Sequence, residues 1–255
     1  MLAVFCLRLA CGLTGSLVLL LPLHVNPRFY RTHFVTVLAL TAGAAVLLRQ
    51  TAGAWQWAAV LLALLLALLG SLAWSLEGKS TGWVLVVLTT ASLTAALGLA
   101  SAAGTPATEA ERIPGPAWLL ADDLMSAAVL GVAATAMLTG HSYLIAPTMS
   151  LTPLLRLLAA LYVVLVLRLV LAAAGLWSWT SGHSLGNLED DTVLWLPLRW
   201  GIGFVAPLVL AWMAREAAKI RSTQSATGIL YVVVIFCFLG ELTSQLLLRN
   251  TGFIL

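Results

Sequence analysis

The stretch "PLLRLLAALYVVLVLRLVLAAAGLWS", residues 153–178, decides the fold class. It opens on a proline and closes on a tryptophan and a serine. Apart from Arg156 near one end and Arg168 in the interior, little between them would hold water. As an α-helix it is roughly 39 Å long, enough to cross the ~30 Å hydrocarbon core of a bilayer.

The same criterion, applied outward from this stretch, yields eight segments: about 2–23, 34–49, 54–76, 82–103, 117–145, 153–178, 194–216 and 226–248. The expectation is an all-α, polytopic integral membrane bundle of about eight transmembrane helices, forming a single transmembrane domain over 1–255. Seven spans is the alternative, if the short second segment is re-entrant or interfacial. Composition agrees: 61% of the 255 residues are hydrophobic and 9% are charged. A water-soluble domain, with about 25% charged residues, is thereby excluded. The net charge of +3 comes without a basic cluster, which excludes nucleic acid as a partner. The lipid bilayer is the partner that composition demands.

The N-terminal run "MLAVFCLRLACGLTGSLVLLLPL" has the look of a signal peptide. It carries Arg8 inside the apolar stretch and shows no small-x-small cleavage site, so it reads as a retained first span. Cys6, Cys11 and Cys237 lie in apolar runs without metal-ligand or redox spacing and read as small buried hydrophobes.

Lys and Arg in short loops set orientation. One side holds Arg28, Arg31, Lys79, Arg156, Arg215, Lys219 and Arg221, and the other holds Arg49, Arg112, Arg199 and Arg249. The first side is expected in the cytoplasm, with both termini outside, in the inner (plasma) membrane of a bacterium. Trp55, Trp57, Trp74, Trp83, Trp118, Trp177, Trp179, Trp195 and Trp200 fall near span ends and read as headgroup-level anchors.

Charges inside the spans cost at least ~2.5–3.5 kcal/mol each on insertion scales, so each needs a reason. Arg168 and Glu241 are expected at compatible depth as an intramembrane pair, with Ser244 and Gln245 on the face of Glu241; Arg8 is the third such group. Asp122 and Asp123 read as carboxylates favoured by a helix start. Ala127, Gly131 and Ala134 continue the Asp123 stripe and suggest close packing against a neighbouring helix. Gly201, Gly203 and Pro207 suggest a kink in the seventh span.

The corner "GHSYLIAPTMSLTPLLRL", residues 140–157, is the polar candidate. His141, Ser142, Tyr143 and Arg156, with Arg221 and Gln224 from "RSTQSATGILY", offer the donors a quinone headgroup needs. Capping explains part of the same stretch, with Thr152 as N-cap before Pro153. A haem b would need two facing histidines, drawn from His24, His33 and His141, but no span carries paired histidines. His183 beside "GNLEDDTV" offers a weak cation site in a loop; no metal is expected. Signatures of phosphate binding, zinc hydrolysis or serine catalysis are missing, so the chain is not expected to be catalytic by itself.

Three functional classes remain. The first is a membrane subunit of a bacterial respiratory or electron-transfer complex, quinone-interacting and partnered by other membrane or redox subunits. The second is a small-solute or ion transporter or channel using Arg168 and Glu241. The third is a membrane-embedded enzyme or assembly factor.

Overall fold

A computed structural model describes residues 1–20, 26–76, 79–103, 115–145, 150–181 and 190–251. Its helices are α1 (Leu2–Ser16), α2 (Pro27–Leu48), α3 (Ala54–Ser75), α4 (Lys79–Ala103), α5 (Pro116–Ile145), α6 (Thr152–Thr180), α7 (Asp190–Trp200), α8 (Ala206–Lys219) and α9 (Thr223–Thr251). α1 ends in a 3-10 turn at Leu17–Leu19, and a π-helical turn, Gly201–Val205, joins α7 to α8. Among the described residues eight helical stretches are long and apolar enough to cross a membrane, α7 to α8 providing one of them. The protein is an all-α polytopic bundle. Helices satisfy their own backbone hydrogen bonds, which is why a chain this apolar can cross hydrocarbon at all.

α2 begins at Pro27 rather than near residue 34. The Asn26 side chain accepts from the Arg28 backbone N–H at 3.0 Å, and Pro27 occupies the first helical turn. That cap turns the polar "PRFYRTH" into helix and removes the reason for counting the second segment as too short. At the other polar corner, α6 starts one residue earlier than expected: Thr152, the expected cap, is its first residue, Leu151 takes the cap position, and Ser150 Oγ lies 3.4 Å from the Thr152 backbone nitrogen.

α1 and α5 are the most buried spans. α5 packs against α1, α4, α6 and α9, while α2 and α3 extend the bundle on one side. The Leu61, Leu65, Leu68 and Leu72 side of α3 remains exposed, as a face turned to lipid would be. α1 and α5 approach through glycine: a Cβ on Gly131 would stand 1.9 Å from the Gly12 carbonyl carbon, and one on Gly12 1.8 Å from the Ala127 oxygen. This is the packing expected of the Asp123 stripe. The π-helical turn meets α9 the same way, a Cβ on Gly240 falling 2.5 Å from the Gly203 Cα.

The tryptophans divide. Trp55 and Trp177 are exposed near helix ends, as anchors should be, but Trp74 and Trp179 are buried. Trp74 stacks on Tyr30 with ring centroids 4.3 Å apart, and a Cβ on Gly82 would strike its indole at 2.4 Å. It cements α2, α3 and α4 instead of reaching headgroups.

Candidate functional site

Six ionisable side chains from five helices meet in the half of the bundle nearest the termini. α1 brings Arg8, α5 brings Asp122 and Asp123, α6 brings Arg168, α7 brings Arg199 and α9 brings Glu241. All are buried, Asp122 at 1% exposure and Arg168 at 0%. Three guanidinium groups face three carboxylates, so the cluster is formally neutral. A charge buried alone would be prohibitively costly, and this matching is what makes the cluster tolerable.

The bonds run in one chain. Arg8 donates from Nε to Asp123 Oδ1 at 2.6 Å, from Nη2 to Asp122 Oδ2 at 2.8 Å and from Nη1 to Ser126 Oγ at 3.3 Å. The Ser101 hydroxyl of α4 donates to Asp123 Oδ2 at 2.6 Å. Arg168 donates from Nη1 to Asp122 Oδ1 at 2.5 Å, and from Nε and Nη2 to Glu241 Oε1 and Oε2 at 3.2 and 3.1 Å. Its Nη2 also donates to Ser244 Oγ at 3.0 Å. Arg199 donates from Nη1 to Glu241 Oε1 at 3.2 Å and lies over the Phe204 ring, 4.1 Å from the centroid.

The helix-start account of Asp122 and Asp123 is therefore corrected. Neighbours on a helix point about 100° apart, but one guanidinium is broad enough to take an oxygen from each. The glycine crossing brings Arg8, one turn before Gly12, close enough to do so. Arg199 is corrected too: it is not a loop cation. α7 starts at Asp190, which sinks Arg199 into the bundle beside the Gly203–Gly240 contact. Its Nε and Nη2 have no hydrogen-bond partner.

A cavity of about 410 Å³ reaches this network from the terminus side. Arg8, Ser101, Asp123 and Gln245 line its polar part, Val4, Ala100, Leu119 and Leu248 its apolar walls, with Met1 and Arg249 completing it. Gln245 is buried, and neither its amide nitrogen nor its oxygen has a partner.

A second cavity, also of about 410 Å³, lies at the opposite end of α5. Its polar lining comes from Asn26, Arg28, Thr32, His33, His141 and Ser142. His33 is buried, and its Nδ1 donates to the Phe29 carbonyl at 3.0 Å, since a carbonyl can only accept. Nε2 is then the acceptor, and Thr135 Oγ1 stands 3.1 Å from it, with Ser16 Oγ 2.6 Å further along. Both ring nitrogens are engaged, so His33 does not fit the role of a haem ligand. His24 lies outside the described residues, as does His183.

Of the six quinone candidates, only His141 and Ser142 line this cavity. His141 Nδ1 is 3.4 Å from the Tyr231 hydroxyl, and Ser142 donates to the Leu138 carbonyl at 2.9 Å. Tyr143 turns inward and its hydroxyl donates to the Ser150 carbonyl, tying the corner between α5 and α6. Arg156, Arg221 and Gln224 are exposed and line neither cavity. Arg221 takes a left-handed backbone, φ 60°, closing α8. Among the described residues no three His, Cys, Asp or Glu side chains gather as a metal site. Comparison with family models, characterised proteins and solved structures finds no match.

Proposed function

We propose that the chain is a multi-pass carrier of a small solute, with the buried charge network as its coupling element. One arrangement supports this reading. Two cavities of equal volume lie at opposite ends of α5, one lined by Arg8 and Asp123 and the other by His33 and His141. Between them α1 and α5 meet backbone to backbone at the Gly12–Gly131 crossing, beside which a third, mostly apolar cavity of about 440 Å³ opens. A carrier needs a site open to one face at a time and a sealed centre, with polar groups at depth for the solute or its co-ion. The π-helical turn between Pro197 and Pro207 supplies a break in one span beside Arg199, where the network could be remade.

The exposed Arg28, Arg31, Arg156, Arg215, Lys219 and Arg221 support a cytoplasmic face opposite the termini. With Arg199 removed from the loops, the bias is larger than the loop sequences alone suggest. The setting we propose is the plasma membrane of a bacterium, with both termini outside.

Uptake tests the proposal. The purified chain, reconstituted in liposomes, is offered labelled organic anions, cations, amino acids and neutral solutes against protein-free vesicles. Accumulation of one class, lost in Glu241→Gln, is expected; no uptake across the panel contradicts the reading.

A second reading, a respiratory or electron-transfer subunit holding a quinone headgroup, is favoured by one observation: His141 and Ser142 line the cavity beside His33 and Arg28. A lipid extract of the purified protein decides it, since a bound quinone should appear at near-stoichiometric amount and its absence removes the reading.

A further inference from the structure

Gln245 is 6% exposed, and both ends of its amide lack a partner while the side chain lines the terminus-side cavity. A buried amide left unpaired costs about 1–3 kcal/mol for each end, so a ligand there should offer it both an acceptor and a donor.

Charge narrows the ligand further. The six-group network is neutral within itself, but Arg249, exposed at the cavity, is paired with no carboxylate among the described residues; its one hydrogen-bond contact is Met1 Sδ at 3.9 Å. Among the described residues the cavity therefore carries positive charge in excess and suits a negatively charged ligand. Asp123, close by, opposes a second negative charge. Its two oxygens already accept from Arg8 and Ser101, which leaves little to attract an amine. Val4, Leu119 and Leu248 offer an apolar wall to the rest of the molecule.

We infer that this cavity binds a 2-hydroxy monocarboxylate bearing an apolar chain. The carboxylate accepts from Gln245 Nε2 and Arg249, the adjacent hydroxyl donates to Gln245 Oε1, and the chain lies against Val4, Leu119 and Leu248. The inference rests on reading this cavity as the solute site of the proposed carrier and names the class of that solute.

Binding to detergent-solubilised full-length protein, measured by equilibrium dialysis, tests it apart from transport. Labelled 2-hydroxyhexanoate should bind saturably, hexanoate more weakly, and hexane-1,2-diol and hexylamine should not compete. Gln245→Leu and Arg249→Ala should each weaken binding by about tenfold or more, the loss of one charge-assisted hydrogen bond. Arg249 is exposed, so its variant keeps the fold. No saturable binding, equal competition by the diol or the amine, or unchanged affinity in both variants would overturn the inference. 2-Hydroxypalmitate separates the sources: tighter binding than the six-carbon acid assigns a membrane-borne ligand, and weaker binding a water-borne one, the proposed chemistry being common to both. Binding without uptake leaves this inference standing and removes the carrier; uptake of another class without this binding does the reverse.

Discussion

Arg168 and Glu241, 73 positions apart in the chain, meet edge to edge: Nε and Nη2 of the guanidinium each donate to a separate oxygen of the carboxylate, at 3.2 and 3.1 Å. This geometry gives two parallel bonds and fixes the rotation of α6 against α9. Glu241 also receives Arg199, so one carboxylate balances part of two buried cations.

Glu241→Gln should therefore be among the costliest single changes in the chain, at about 3–5 kcal/mol, because it leaves a buried positive charge uncompensated. Arg199→Met in the same chain restores neutrality and should recover about 1–3 kcal/mol of that loss. Thermal unfolding in detergent reads both. A double variant no better than the single one would show that charge matching is not what the network supplies.

Gly12→Ala should force α1 from α5, since its new carbon would lie 1.8 Å from the Ala127 oxygen, and backbone cannot step aside as a side chain can. The expected loss is about 1–3 kcal/mol or more, together with weakened Arg8 pairing. Gly43→Ala, with nothing within 4 Å, is the matched control and should change the melting temperature little. Equal melting of the two variants would contradict the crossing.

Tyr143→Phe removes only the hydroxyl that holds the Ser150 carbonyl across the α5–α6 corner. A loss of about 1 kcal/mol in stability, with uptake unchanged, is expected. Loss of uptake without loss of stability would return Tyr143 to a binding role.

With eight spans both termini lie on one side of the membrane; with seven they do not. A cysteine placed at exposed Arg221 should react with an impermeant maleimide only in inside-out vesicles, and one at Asn250 only in intact cells. Labelling of both from the same face would contradict the threading.

How much of this was legible beforehand differs by residue. Eight apolar stretches are a matter of composition and length, which tertiary structure does not alter. Arg168 and Glu241 could be matched because each is a lone charge deep in a span, and a shared depth suffices to suggest a pair. The Gly131 stripe was legible from helical spacing. Arg199 was not: its place depended on where α7 starts, and the residues from 190 read as loop. Asp122 and Asp123 stood near a helix start, and only the approach of Arg8 at the glycine crossing gives them partners. Tyr143, Arg156, Arg221 and Gln224 looked like one rim because loop residues share a depth, but depth does not set direction around a helix.

We propose that the cavity opening onto Arg8 and Asp123 is a transport site. Counterflow into liposomes containing the wild-type chain, Asp123→Asn, Arg249→Ala or Gly43→Ala tests it most directly, with each variant first shown to be folded and monodisperse. The account predicts a solute that wild type and Gly43→Ala accumulate above protein-free vesicles and that Asp123→Asn and Arg249→Ala do not. Accumulation by Asp123→Asn and Arg249→Ala equal to wild type, or none by any chain, would contradict it.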